Sequence, residues 1–268
     1  PRSRGLGDVY KRQAGYFTGG LSAVGRSADD IYAACYEQLR AKSLEYYKRF
    51  PGDRVRFAEL AALAKKGEIA TPSGDVVCPS RLRSLGHVLG ASGGAEKLHY
   101  LLEYPHTSRA FRHDLAELLP YDGRNPLYAV IHESSYADGV VTDWSAARTL
   151  PDDFREDPTL LTGEHVMPEW FDTDQELRPW KEVADLIANH PWPKLYDPDV
   201  LRTAEVPCAA AVYHDDAYVP RKFSLETAAL LPQMHAWVTT EYEHNGSNAS
   251  GGAVLDRLIK LAKGEIVR

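Results

Sequence analysis

Val206-Pro207-Cys208-Ala209-Ala210-Ala211-Val212-Tyr213-His214-Asp215-Asp216-Ala217-Tyr218-Val219-Pro220 is the stretch that decides the fold. Its first eight residues are almost continuously apolar. That is the pattern of a strand covered on both faces in a parallel sheet, not the alternation of a half-exposed one. An acidic turn closed by Pro220 follows. Next come a helical pattern over Leu225 to Leu231, a second strand over His235 to Glu241, and an amphipathic helix over Ala253 to Ala262 carrying Val254, Leu255, Leu258, Ile259 and Leu261. Strand, helix, strand, helix at this density implies an α/β parallel sheet with crossover helices, whose sites lie beyond the strand ends.

Two reactive side chains fall at those ends. Asp216 closes the first strand, and His244, in Glu241-Tyr242-Glu243-His244-Asn245-Gly246, follows the second. Acid before base is the chain order of the last two members of one kind of serine-hydrolase triad. An imidazole acting as general base needs a carboxylate at its far nitrogen to fix the tautomer and stabilise the imidazolium. On the residues alone, two unrelated polar loop residues explain the pair equally well. Asp215 competes for the acid role. Asp216 is preferred because it begins the turn toward the histidine loop, which leaves Asp215 as an exposed neighbour.

Outward from this region the chain changes character. Ala14 to Gly20 reads as the end of a short buried strand breaking into a glycine turn. Ser27-Ala28-Asp29-Asp30 caps a long helix that runs to about Arg49 and stops at Pro51, and a second helix covers Val55 to Lys66. Further helical patterns cover residues 94–103, 108–118, 125–134 and 179–188. Residues 26–203 therefore form a mostly helical block between two β-containing pieces, 14–25 and 204–268. Residues 1–13 read as a non-native or disordered tail, with no apolar secretory core.

The composition narrows the partners. At 268 residues and 44% hydrophobic content, the chain can bury a core of ordinary size. No apolar run approaches the roughly 18 residues of a membrane helix, so no membrane association is expected. The net charge is −7, and it is concentrated: His132 to Glu176 holds twelve acids and two bases. Nucleic acid is not the partner expected for such a surface, whereas a small cationic substrate suits it. Taken singly, most of these carboxylates are equally well read as a solvated face. Cys35, Cys78 and Cys208 are too scattered for a disulfide framework or zinc site, which points to a reducing, cytoplasmic setting.

Two other patterns carry less. Gly90-Ala91-Ser92-Gly93-Gly94 matches the nucleophile-elbow signature Gly-x-Ser-x-Gly, and the order Ser92, Asp216, His244 would be correct. An elbow must follow a central strand and an oxyanion loop, however, and Ser92 falls inside the helical block, where it reads as the turn before a helix. The ten histidines show no His-Glu-x-x-His, and His132-Glu133 and Glu164-His165 lack a third ligand. No metal or cofactor is expected, and these histidines read as surface or hydrogen-bonded side chains.

Several segments together resemble the proline iminopeptidases (prolyl aminopeptidases) of the α/β-hydrolase superfamily. They are Thr18-Gly19-Gly20-Leu21, Leu89-Gly90-Ala91-Ser92-Gly93 with His99-Tyr100-Leu101-Leu102-Glu103, Tyr128-Ala129-Val130-Ile131-His132-Glu133, Leu161-Thr162-Gly163-Glu164, Leu195-Tyr196-Asp197-Pro198, Ala211-Val212-Tyr213, the His244 motif and Leu255-Asp256-Arg257-Leu258-Ile259. The resemblance runs from about Phe17 to Lys263. It implies the C-terminal part of an α/β-hydrolase sheet with a large helical cap domain inserted, and release of N-terminal proline from peptides by a Ser-His-Asp mechanism without metal or cofactor. Asp216 would be the acid and His244 the base. Glu133 and Glu164 would bind the substrate's free amino end, in keeping with the anionic partners a protonated prolyl nitrogen needs.

The family's oxyanion loop and elbow should precede Thr18, and residues 1–13 contain neither. The chain is therefore expected to be a fragment, inactive alone and with a sheet edge open to pairing. The rival readings are another α/β-hydrolase, such as an esterase or epoxide hydrolase, and a non-catalytic binding protein that uses the acidic cap. A homo-oligomer is left open.

Overall fold

The computed structural model describes residues 13–121 and 125–267. The tail read over residues 1–13 thus lies, apart from Gln13, outside the described residues. Three parallel strands form one sheet in the order β1 (Gly15–Phe17), β2 (Cys208–Tyr213), β3 (Met234–Thr239). Gly15 pairs with Cys208, and Cys208 in turn with Met234, so the three strands start in line.

β2 is buried at every residue, as its apolar run requires of a central parallel strand. Its period-two alternation sorts the core. Ala209, Ala211 and Tyr213 face Val254, Leu258 and Leu261 of the helix Ala253–Ala262, while Ala210 and Val212 face Leu21, Ala228 and Met234 on the other side. The three alanines bring helices close to the sheet on both faces, giving a helix–sheet–helix sandwich. The helix between the strands spans Arg221–Ala228, earlier than the expected Leu225 to Leu231, because Pro220 at its N-cap sets the start.

Between β1 and β2 the chain is helical. The longest element, α1 (Ala28–Arg49), begins at a capping box in which Ser27 and Asp30 bond each other's backbone N–H. α2 (Pro51–Lys65) starts four residues before the expected Val55. Pro51 does not merely end α1: it occupies the first turn of the next helix, where a missing N–H costs nothing. Helices at Gly94–Glu103, Arg109–Leu118, Pro126–Ile131 and Lys181–Ala188 fall where the periodicity places them. Two large apolar clusters pack within this layer. One joins Tyr46, Phe57, Leu82, Leu98, Phe111 and Leu115, and the other joins Val130, Val166, Trp170, Phe171 and Ala184. Cys35, Cys78 and Cys208 are all unbridged. Among the described residues, no helix is long and apolar enough to cross a membrane.

The helical layer meets the loops above the sheet at a tight seam. Ser84–Gly90 forms a 3₁₀ helix, and Gly90 lies flat on the Tyr218 ring, so a Cβ there would overlap the ring and its hydroxyl. Tyr218 Oη in turn donates to His87 O. Gly90→Ala is therefore expected to lower stability by about 1–3 kcal/mol through overpacking, read as a reduced denaturant midpoint. Gly52→Ala, whose added methyl meets nothing within 4 Å, should stay within about 0.5 kcal/mol of the parent.

Candidate active site

Asp216 and His244 leave neighbouring strands and meet. After β2 the chain turns at Asp216, whose Oδ1 accepts from Tyr218 N at 2.9 Å and Val219 N at 3.0 Å. The other oxygen, Oδ2, lies 2.8 Å from His244 Nδ1. Asp216 is buried, with 1% of its surface exposed, while the His244 side chain is 34% exposed. With Nδ1 engaged by a carboxylate, the neutral ring carries its proton there and leaves Nε2 as the free base. Asp215, the competitor, is exposed and pairs with His214 instead.

The surroundings of the imidazole are specific. A Cβ built on Gly19 would stand 3.0 Å from His244 Cε1 and 3.4 Å from Nε2, so the glycine after β1 leaves room beside the reactive nitrogen. Tyr218 packs edge-on to the ring at 5.1 Å between centroids. Tyr213 Oη donates to Thr18 O at 2.7 Å and locks the end of β1 to that of β2.

Burial alone would depress the His244 pKa. The hydrogen bond and charge of Asp216, with the charge of Glu164, outweigh it, so the pKa is raised. Burial pushes the Glu164 carboxyl up to about 7, against the pull of His244 and with the repulsion of Asp216. Asp216 thus acts on the imidazole by direct contact, and Glu164 by its charge. Glu133 is also buried. Its Oε2 accepts from Ala146 N at 3.2 Å, while Oε1 is buried without a partner.

Most of the histidines are exposed or hydrogen-bonded as expected, His165 among the latter through Gly163 N at its Nδ1, but two are buried more deeply than a surface reading allows. His132 and His165 are buried, with 2% and 1% of their surface exposed, and His132 Nδ1 and Nε2 and His165 Nε2 have no hydrogen-bond partner. His132 Nε2 stands 3.9 Å from Glu164 Oε2. Burial drives the His132 pKa down to about 4 and that of His165 to about 3, which keeps both rings neutral. Tyr32, whose buried hydroxyl is also unpartnered, packs against His165 and against Tyr136, which abuts His132. Such burial of polar side-chain atoms without a protein partner is uncommon in folded chains. Composition gave no signal for it, because a histidine in an apolar environment looks like any other in sequence.

Ser92 lies in an exposed turn, and its N–H donates to Asn245 Oδ1 at 3.0 Å. It thereby braces the histidine loop from the helical side. Among the described residues, no group of three or more His, Cys, Asp or Glu is placed to hold a metal ion.

The small parallel sheet thus sets a buried aspartate against a histidine at adjacent strand ends. No family model matches the chain. A proline iminopeptidase of Aeromonas sobria is 37% identical over 260 residues, which is 92% of this chain and 60% of that relative. Proline iminopeptidase aneH of Aspergillus aculeatus is 25% identical over 234 residues, 82% of this chain and 52% of that relative. The chain is a homologue of the proline iminopeptidases, and it spans 60% and 52% of the length of these two relatives.

Proposed function

We propose that this chain supplies the general base, its orienting acid and the amino-end binding site of a serine aminopeptidase that releases N-terminal proline from peptides. The observation that carries the proposal is the 2.8 Å contact between buried Asp216 and half-buried His244, with Glu164 electrostatically coupled to both. In this reading residues 26–203 act as a cap over a hydrolase core formed by residues 14–25 and 204–268. The protein works in a reducing, cytoplasmic setting.

His244 Nε2 takes the proton of a serine hydroxyl as that oxygen attacks the prolyl carbonyl, and Asp216 stabilises the imidazolium that forms. The imidazolium then gives its proton to the departing amine, leaving a prolyl ester on the serine. Water repeats the cycle with His244 again as base, releasing proline and restoring the hydroxyl. The proposal assigns the serine and the oxyanion donors to sequence outside these 268 residues. Glu133 and Glu164 hold the protonated imino nitrogen of the substrate. A buried carboxyl with a pKa near 7 is converted to its anion by an arriving cation, so recognition and charge neutralisation coincide.

Comparing hydrolysis of an L-prolyl amide with that of a simple acyl ester by the full-length gene product tests this reading. Preference for the prolyl amide by about two orders of magnitude or more in kcat/KM is the expected result, since an unpaired buried binding site penalises the ligand lacking the amine. A preference for the ester would point to a different hydrolase.

A further inference from the structure

One face of α1 touches every part of the site. Cys35, Leu39, Lys42 and Ser43 lie along one stripe of that helix, at spacings of four, three and one. Cys35 Sγ donates to Tyr218 O at 3.5 Å, and Leu39 packs on Ala217 and Tyr218, so the stripe bears on the Asp216 turn. Lys42 Nζ donates to Glu243 Oε2 at 2.7 Å, immediately before His244. Ser43 Oγ accepts from Leu161 N at 3.0 Å, and Leu39 abuts Gly163, which fixes the segment leading to Glu164.

The histidine loop in particular is held from the helical layer. Its three central residues each have one tie there: Glu243 to Lys42, His244 N to Gly90 O at 3.1 Å, and Asn245 Oδ1 to Ser92 N at 3.0 Å. The Lys42 side chain is 10% exposed and that of Glu243 33%, so the pair is partly shielded from water and salt.

We propose that α1 is a splint that holds the acid, the base and the Glu164 segment in register, and that Lys42 is a positioning residue for His244, acting through Glu243. The proposal rests on the reading of His244 as the general base. Lys42 touches neither substrate nor reacting atoms. Its effect is to keep the imidazole plane aligned with Asp216 Oδ2, a placement that has to hold within a fraction of an ångström for proton transfer.

The test is the Nδ1 proton of His244, followed by proton NMR in the full-length gene product as a downfield resonance with a measurable rate of exchange with solvent. In Lys42→Met that exchange should accelerate about tenfold as the loop opens locally, while Lys42→Arg, which keeps the ion pair, restores the parental rate. Asn245→Ala should produce a smaller acceleration in the same direction. If Lys42→Met does not fold, Glu243→Gln is read the same way. A folded variant whose unfolding midpoint falls but whose Nδ1 resonance and exchange rate match the parent would overturn the proposal, since that is the behaviour of a pair that only adds stability. The readout needs no nucleophile and no substrate, so loss of prolyl-amide hydrolysis as the assigned activity would leave it standing.

Discussion

Asp216→Asn is expected to lower kcat of the full-length gene product on a prolyl amide by about 10⁴ while leaving KM within a few-fold. The amide that replaces the carboxylate keeps the shape of the turn. Its Oδ1 still accepts from Tyr218 N and Val219 N, the two bonds that fix the loop. At His244 the exchange is not neutral. An amide NH₂ turned toward Nδ1 donates instead of accepting, so the ring carries its proton on Nε2 and offers no base to the reactant. The imidazolium formed during attack also loses its counter-charge. Steady-state kinetics with a denaturation curve check this, because the expected signature is a fall in kcat without a matching fall in stability. A loss below tenfold would mean that Asp216 does not orient a catalytic base.

Glu164→Gln should act mainly on KM, raising it so that kcat/KM falls by about 10², since the charge that meets the substrate's amino end is removed. Two pH effects accompany it. In the parent, kcat/KM rises as pH passes through about 7, where Glu164 becomes anionic, and this limb should vanish in the variant. The His244 limb should remain but move to lower pH, because one of the charges raising its pKa is gone. For stability the sign is opposite to that of an ordinary salt-bridged carboxylate. The folded Glu164 pKa of about 7 lies above the unfolded value of 4.5, so the folded state binds the proton more tightly. Stability contributed by the protonated form is complete below the unfolded value and is lost as pH rises to the folded one. Glu164→Gln should therefore match the parent near pH 4 and exceed it by about 1–3 kcal/mol at pH 8, as read from denaturant titrations at the two pH values. Equal stability at both would show that Glu164 is not held in a desolvated site.

Much of this was legible before any coordinates. The unbroken apolar run over Cys208 to Tyr213 required a strand covered on both faces, and the helices that cover it are those the periodicity announced. Asp216 and His244 were readable because strand-end residues in a parallel sheet converge on one edge. Their order in the chain carries information that composition does not. Pro51 misled the reading of α2, because proline ends one helix and begins the next with equal ease.

The 3₁₀ turn of Ser84–Gly90 and the buried histidines left no trace in sequence. Their placement depends on contacts far along the chain: Gly90 under Tyr218, His132 near Glu164, and Lys42 against Glu243. Ser92 was legible as a motif but not in its role, since only the fold shows that its N–H braces Asn245. Local periodicity cannot encode a partner about 150 residues away.

Reaction of the full-length gene product with a fluorophosphonate probe, in the parent and in His244→Gln, tests the central claim most directly. The reagent is attacked only by a serine whose proton has a base to accept it, so labelling reports the His244 base without reference to peptide specificity. The account predicts one serine adduct in the parent and labelling slower by about 10³ or more in the variant. Equal labelling rates in the two proteins, or no adduct in the parent, would contradict it.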